Sequence, residues 1–248
     1  MARTIAWLCA GLVVIATLAR ANASLAADYY MNPAQVDLIH ILAPPPAPDS
    51  AKGQADLRRV LEAQRHRTPV EVKSVQADVQ LSVFRFADVM GTAFKTENLP
   101  FTTQFFARTL ADDADAIGPA KSYFNRPRPF FANHEVKPVV RATVTYGAYP
   151  SGHATFAYAT AILLAEMVPE KAVMIFERAN RYAENRVIGG VHYPTDIEAG
   201  RIAGSVIDNV LLHDPRFESD FARATTEVRH ALGLGRLNPL NRAAAATP

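Results

Sequence analysis

The sequence predicts an all-α fold, a compact helical bundle with its functional residues at helix ends and in the loops between helices. Apolar residues recur at helical spacing in long segments that are bounded by Pro, Ser or Gly. The alternation typical of strands occurs only in short pieces. Apolar residues make up 49% of the 248-residue chain, which is enough to build the interior of such a bundle.

The predicted helices share apolar stripes and recognisable start or stop signals. They span residues 51–66, 70–88, 99–110, 111–122, 154–168, 170–188 and 197–212. Segment 70–88 is assigned to a helix because it carries no turn signal and is longer than a usual strand. Asp112, Asp113 and Asp115 are expected to form a solvated, helix-capping turn.

The chain is expected to begin with a secretory signal peptide over residues 1–23. Arg3 precedes an apolar run, and Ala21-Asn22-Ala23 resembles a cleavage site, with cleavage after Ala26 as the alternative. A retained anchor is less favoured, because the apolar run is short for a membrane span. The protein is therefore expected to be periplasmic or secreted.

Three further regions follow the signal. Residues 27–50 are rich in proline and are expected to be extended, with a flexible leader as the alternative. Residues 51–240 form one predicted helical domain, and residues 241–248 are a predicted flexible tail.

Charge and cysteine content exclude several classes of function. The single cysteine, Cys9, lies in the predicted signal, so the mature chain has no disulfide, thiolate nucleophile or Cys-ligated metal site. Removal of Arg3 and Arg20 leaves 24 of the 26 basic residues against 24 acidic ones. This balance argues against a nucleic-acid partner and favours a small anionic ligand, while a homo-oligomer stays open.

The stretch Tyr149-Pro150-Ser151-Gly152-His153 predicts an anion site at a helix start. Ser151 is a good N-cap, and the first N–H groups of a helix have no internal partners. Gly152 allows a ligand close to the backbone, and His153 can exchange a proton near neutral pH. An anion is the natural guest at such a position.

Basic residues on either side of this stretch strengthen that prediction. Lys121 precedes Arg126-Pro127-Arg128-Pro129, where each proline favours an extended conformation for the residue before it. Arg128 is thereby expected on a stiff loop, whereas Arg126 is expected at the surface or in a structural ion pair. Downstream, Asn185-Arg186 is followed by His192 and, four residues later, Asp196.

Together these residues form three blocks, Lys-x6-Arg-Pro, Pro-Ser-Gly-His and Arg-x5-His-x3-Asp. This arrangement resembles the signature of the type 2 phosphatidic acid phosphatase superfamily. Within it, the chain is most similar to the secreted class A non-specific acid phosphatases of bacteria. In one departure, Asn185 stands where the third block usually has Ser, although its amide can still donate a hydrogen bond.

The resemblance implies a role for each matched residue. His192 would be the nucleophile, Asp196 its orienting partner and His153 the general acid. The implied phosphate ligands are Lys121, Arg128, Ser151, Gly152 and Arg186. No metal or other cofactor is implied. The expected reaction is hydrolysis of small phosphate monoesters through a phosphohistidine, with transfer to another alcohol as a variant.

Three alternatives remain from the sequence. A vanadium-dependent haloperoxidase resembles these phosphatases at the same anion site, but the chain is short for one. A lipid phosphate phosphatase requires several apolar spans, and no stable membrane insertion is expected after the signal. A simple phosphate-binding module would leave the second histidine and Asp196 without a role.

Overall fold

The computed structural model describes residues 29–141 and 144–237. The predicted signal peptide and the predicted tail therefore lie outside the described residues.

The described residues form helices and no strand, and this confirms the predicted all-α bundle. The α-helices are α1 (Leu38–Ile41), α2 (Ala51–His66), α3 (Pro69–Ala77), α4 (Ala87–Met90), α5 (Pro100–Phe124), α6 (Pro129–Ala132), α7 (Gly152–Met167), α8 (Ala172–Ile188), α9 (Pro194–Leu211) and α10 (Pro215–Ala231). Short 3₁₀ segments lie at Pro33–Gln35, Val83–Phe86, Thr96–Asn98 and Pro169–Lys171.

Helix α7 is the centre of the bundle and packs most extensively against α8 and α9. Its crossing with α9 depends on two glycines. A Cβ on Gly200 would lie 2.6 Å from the Ser151 carbonyl oxygen, and one on Gly204 would lie 2.7 Å from that of Thr155. Because no side chain separates the two backbones, the Ser151 N–H reaches the Asp196 carbonyl oxygen at 2.9 Å. The starts of α7 and α9 are therefore held side by side.

Helix α5 packs on α10 through an aromatic cluster that includes the start of the described chain. The ring centroids of Phe105 and Phe217 are 5.2 Å apart, and that of Tyr30 lies 5.1 Å from that of Phe217. The N–H groups of Tyr30 and Met31 donate to the carboxylate of Asp112 at 3.2 and 3.3 Å. The segment before α1 is thus part of the core.

The structure corrects the predicted helix over 70–88. Helix α3 ends at Ala77, and the chain turns at the fully buried Asp78 before a 3₁₀ segment and α4. The Asp78 carboxylate accepts from the Arg178 guanidinium at 3.0 and 2.6 Å and from Arg85 Nε at 3.0 Å. A buried carboxylate with these partners fixes the break, and the partners on α8 are distant in sequence.

The predicted turn at Asp112 is also wrong. Helix α5 runs without interruption for 25 residues, and Asp112 and Asp113 are buried in its middle. It ends at Phe124, and its C-cap residue Asn125 has a left-handed φ of 40°. Helices α1, α6 and α10 were not predicted from the sequence pattern, and α1 lies in the segment 27–50 that was expected to be extended.

Candidate active site

The predicted anion-binding stretch forms the start of α7. Ser151 is the N-cap, and its Oγ accepts from the Ala154 N–H at 3.3 Å. The N–H groups of Gly152 and His153 lie in the first turn, where a helix offers no carbonyl acceptor. A Cβ on Gly152 would lie 3.2 Å from Ile117 Cδ1, so a larger residue would crowd α5.

Lys121 lies in the last turn of α5, beside this helix start. Its Nζ donates to the carbonyl oxygens of Gly147 and Pro150 at 2.9 and 2.6 Å. An ammonium group has three protons, so one is left for a ligand. Burial and the nearby Arg128 lower the pKa of Lys121 to about 8.

Arg128 is held on the link between α5 and α6 by its backbone N–H, which donates to the Thr145 carbonyl at 2.8 Å. Its Nη1 lies 3.0 Å from the Val191 carbonyl oxygen and 2.9 Å from His192 Nε2. The guanidinium therefore covers the imidazole that the sequence assigns as the nucleophile.

Arg186 projects from the last turn of α8 and is almost completely buried. Its Nε and Nη1 have no hydrogen-bond partner within the described residues. Burial and the charge of Arg128 lower the pKa of Arg186 to about 10. Buried donors of this kind are costly when unpaired, and an anion would satisfy both of them.

The turn after α8 places His192. The N–H groups of Val191 and His192 both donate to the Arg186 carbonyl oxygen, at 3.1 and 3.2 Å. Gly190 adopts a φ of +72° in this turn, a conformation that favours glycine.

His192 is fixed in one tautomer by its two neighbours. Its Nδ1 lies 3.2 Å from Asp196 Oδ2, and its Nε2 lies 2.9 Å from Arg128 Nη1. Because a guanidinium only donates, Nε2 must carry the lone pair and Nδ1 the proton that Asp196 accepts. Burial and the charge of Arg128 hold the pKa of His192 well below its usual value, so the ring is neutral.

His153 has the opposite tautomer. Its Nε2 lies 3.1 Å from the Val79 carbonyl oxygen, which can only accept, so Nε2 carries the proton. Burial and the charge of Arg186 lower the pKa of His153 to about 3.

A cavity of about 190 Å³ opens beside these groups. Arg128, His153 and Arg186 line it together with Arg141 and with valines at positions 79, 140, 144 and 191. The remaining predicted residues do not line it. These residues are Lys121, Ser151, Gly152, His192 and Asp196. His192 contacts one lining residue, Arg128.

Comparisons with known proteins agree with this arrangement. The model of the PAP2 superfamily matches residues 104–219. The acid phosphatase of Zymomonas mobilis is 30% identical over 204 residues, which cover 79% of this chain and 76% of that protein. The chain belongs to the PAP2 superfamily.

A second relative of this PAP2 chain and one solved structure were also compared with it. The non-specific acid phosphatase of Salmonella typhimurium is 29% identical over 75% of this chain and 78% of that protein. The crystal structure of a bacterial vanadium-dependent iodoperoxidase shares the fold, with a TM-score of 0.52 and 21% identity over 69% of this chain and 52% of that one. Across residues 29–141 and 144–237, every helix is too short or too polar to span a membrane.

Asn185, the departure from the family pattern, points away from a ligand. Its Nδ2 donates to Ser74 Oγ at 2.9 Å and to Asp78 Oδ2 at 2.8 Å. Both protons of the amide are thereby used, and none remains for phosphate.

Arg126 is the residue that the sequence interpretation undervalued. It is buried, and its guanidinium bonds Asp196 Oδ1 at 2.6 Å and Asp56 Oδ2 at 2.9 Å. The alternative of a structural ion pair is therefore correct and the surface position is wrong. Its position near Arg128 in the first motif block was the one sequence feature that could have indicated a role near the site. Nothing in the sequence around Asp56 indicated that it pairs with Arg126.

Proposed function

We propose that this chain is a secreted acid phosphatase that hydrolyses small phosphate monoesters through a phosphohistidine, without a metal ion. Its superfamily and its relatives named acid phosphatase make it a phosphoric monoester hydrolase. One observation carries the finer proposal. Arg186 has two buried donors that find no partner among the described residues, and it lines the same cavity as Arg128 and His153.

Phosphate binding follows from the charges around this cavity. Phosphoryl transfer needs positive charge at the equatorial oxygens and a nucleophile in line with the leaving group. Arg128 and Arg186 can each grip oxygens with a forked guanidinium, and Lys121 adds a compact charge behind them. Ser151 and the Gly152 N–H at the start of α7 complete the proposed cradle.

The first chemical step uses the neutral His192. When a phosphate oxygen takes over Arg128 Nη1, the lone pair on His192 Nε2 becomes free. The Nε2–P bond then forms as the P–O ester bond breaks. The monoanionic substrate first gives its phosphate proton to Nδ1 of His153, and His153 passes that proton to the departing oxygen. The Nδ1–H bond to Asp196 stabilises the positive charge that develops on the ring.

The second step releases phosphate. A water molecule attacks phosphorus and gives a proton to His153, while the N–P bond breaks and His192 recovers its lone pair. An alcohol in place of water would yield a new ester, which accounts for the proposed phosphotransferase variant. The valines that line the cavity suit the apolar part of an aryl or alkyl ester.

The test is release of phosphate from p-nitrophenyl phosphate between about pH 4 and about pH 8 in the presence of EDTA. We expect activity with an acidic optimum that vanadate blocks. The variant His192→Ala should fold normally and show no turnover. His213 is an exposed histidine just after the C-terminal end of α9, and His213→Ala should match the wild type. Appreciable turnover by His192→Ala would contradict the nucleophile assignment.

Two parallel assays separate the alternative functions. Oxidation of iodide by peroxide after loading with vanadate, without phosphate release, would favour a haloperoxidase. Hydrolysis of phosphatidic acid in detergent micelles in strong preference to soluble esters would favour a lipid phosphate phosphatase.

Secretion is supported by the signal-like pattern of residues 1–23. The N-terminal sequence of the exported protein tests it. We expect a mature chain that begins at Ser24 or Ala27, and a protein that retains Met1 in the cytoplasm would contradict export.

A further inference from the structure

The structure contains a buried chain of polar side chains behind His192 that reaches a third helix. Asp196 accepts from His192 on one oxygen and from Arg126 on the other, at 3.2 and 2.6 Å. Arg126 in turn donates from Nη2 to Asp56 Oδ2 at 2.9 Å. All four side chains are at least nine-tenths buried.

Arg126 is held from three sides. Its Nη1 also donates to Thr195 Oγ1 at 2.7 Å, and its guanidinium lies 4.1 Å from the ring centroid of Tyr193. Asp56 accepts from the Thr195 N–H at 3.3 Å and from the Thr195 hydroxyl. These contacts leave the guanidinium one orientation, with one edge toward each carboxylate.

We propose that Arg126 is a positioning residue for the reaction, and that Asp56 orients Arg126 so that Asp196 stays ionised and holds the proton of His192 on Nδ1. The inference rests on the function proposed above, in which His192 Nε2 attacks phosphorus.

The physical argument concerns the charge of Asp196. Burial raises the pKa of this carboxyl, and the Arg126 charge and the Tyr193 N–H oppose that effect. A protonated Asp196 would be a poor acceptor for Nδ1–H and would not stabilise a phosphorylated, positively charged ring. If Arg126 is removed, the Asp196 carboxyl stays buried but loses the positive charge that compensates for its burial, so its pKa should rise.

Other titratable groups also face Asp196. They are Asp56 on α2, Lys121 at the end of α5, Arg128 on the following link, Tyr149 before α7, and His192 and Tyr193 before α9. Arg126 alone among the cations makes a direct ion pair with this carboxylate in the described structure. Its removal is therefore not compensated by a neighbour.

The first test compares Arg126→Met with the wild type in steady-state kinetics. By analogy with the outer partners of metal-ligating histidines, we expect kcat to fall about 10- to 100-fold. KM should stay almost unchanged, because Arg126 does not line the cavity. Without Arg126 the pKa of Asp196 should rise, so its carboxylate becomes protonated at a higher pH. The acid limb of the kcat profile should therefore move to higher pH. Arg126→Lys should recover part of the rate and shift the limb back.

A matched control separates positioning from stability. Arg229 is equally buried and pairs with Glu170 at 3.0 and 2.8 Å, far from the site. Arg229→Met should lower thermal stability without moving the acid limb. If Arg126→Met behaves in the same way, or keeps wild-type kcat, the proposal is overturned.

A second readout is independent of turnover. Histidine side-chain ¹⁵N shifts report which ring nitrogen carries the proton, and His192 should be protonated on Nδ1 in the wild type and mixed in Arg126→Met. Asp56→Asn retains Arg126 and should show the same change more weakly, which keeps the test available if Arg126→Met does not fold. A wild type with this tautomer but without phosphatase activity would overturn the proposed function alone, whereas an unchanged tautomer in both variants would overturn the role of Arg126.

Discussion

At the scale of single residues, Arg186 carries buried donor groups that favour binding of an anion. Its Nε and Nη1 are buried and have no partner in the part of the chain that the structure describes. The nearby charge of Arg128 makes the positive charge of Arg186 more costly. Such a group destabilises the free protein and strengthens the bound state, since each hydrogen bond to a charged group contributes roughly 1.5–3 kcal/mol. The position of the Arg186 guanidinium therefore favours anion binding at the expense of the stability of the ligand-free protein.

The variant Arg186→Met tests whether this arginine increases anion affinity and lowers the stability of the ligand-free protein. Its affinity for inorganic phosphate or vanadate should fall about 10- to 100-fold, by the energy of one or two charged hydrogen bonds. Its melting temperature without ligand should equal or exceed that of the wild type, measured by calorimetry. Arg201→Met, which removes an exposed arginine on α9, is the control and should change neither quantity. A large loss of stability in ligand-free Arg186→Met would contradict the interpretation.

His153 gives a prediction on pH. With its pKa lowered to about 3 by burial and Arg186, it is neutral in the free site at mildly acidic pH. A phosphate monoester keeps its second proton below about pH 6, so the proton for the leaving group arrives with the monoanionic substrate. As pH rises through that substrate pKa, kcat/KM should fall.

Two monoesters whose second phosphate pKa values differ by about one unit provide the measurement. The alkaline limb of kcat/KM should move with the substrate, and a limb that stays fixed would show that an enzyme group sets it. His153→Ala should in addition lose more rate with alkyl than with aryl phosphates, because alkoxides are the poorer leaving groups.

At the scale of secondary-structure elements, the crossing of α7 and α9 decides whether the site forms. Gly200→Ala would place a Cβ 2.6 Å from the Ser151 carbonyl oxygen and push the two helices apart. Overpacking of this kind costs roughly 1–3 kcal/mol, and it separates Asp196 from the start of α7. We expect lower stability in urea together with lower kcat.

Gly118→Ala is the control for this substitution. Gly118 also lies within a helix, α5, but a Cβ there meets no atom within 4 Å. It should be neutral or stabilising by up to about 1 kcal/mol, because alanine is the better helix former. Equal effects of the two substitutions would show that close packing at Gly200 is unimportant.

The sequence was most informative about these elements where the signal was local. Ser151 marks the start of α7, and the structure begins the helix directly after it, because capping depends on residues within one turn. The break at Asp78 and the burial of Asp112 depend on partners far along the chain. No pattern of neighbouring residues could predict them.

The same limit applies to the site. The three motif blocks named the residues that the fold brings near one cavity, whereas Arg126 was left between two roles because its partner Asp56 lies 70 positions away. The orientation of the Asn185 amide could not be predicted either, because it depends on a hydrogen bond to the distant Asp78.

At the scale of the whole molecule, each site histidine is supported by its own buried network. His192 is backed by Asp196 and Arg126, which reach α2 through Asp56. His153 contacts the Val79 carbonyl, and that residue follows Asp78, whose carboxylate is bound by α8. Helices α2 and α3, which contribute no motif residue, thus help to fix the position of both histidines.

Two buried aspartates outside the site predict how the stability of the whole fold responds to pH. Asp113 on α5 and Asp208 on α9 are buried, and neither oxygen of Asp208 has a partner within the described residues. Burial raises the pKa of both carboxyls well above the usual value. The charge of Asp112 adds to this effect on Asp113, and that of Asp113 adds to it on Asp208. In the unfolded chain, an aspartate ionises near about pH 4.

Between that pH and the raised pKa values the folded state holds more protons, so stability should fall as pH rises. The slope is up to about 1.4 kcal/mol per pH unit for each proton. Asp208→Asn imitates the neutral carboxyl and cannot ionise, so its free energy of unfolding in urea should decline less from about pH 5 to about pH 8 than that of the wild type. The lowered histidine pKa values act in the opposite sense in acid, but equally in both proteins. Asp115→Asn, at an exposed position of α5, should follow the wild type, and parallel curves for Asp208→Asn and wild type would contradict a protonated Asp208.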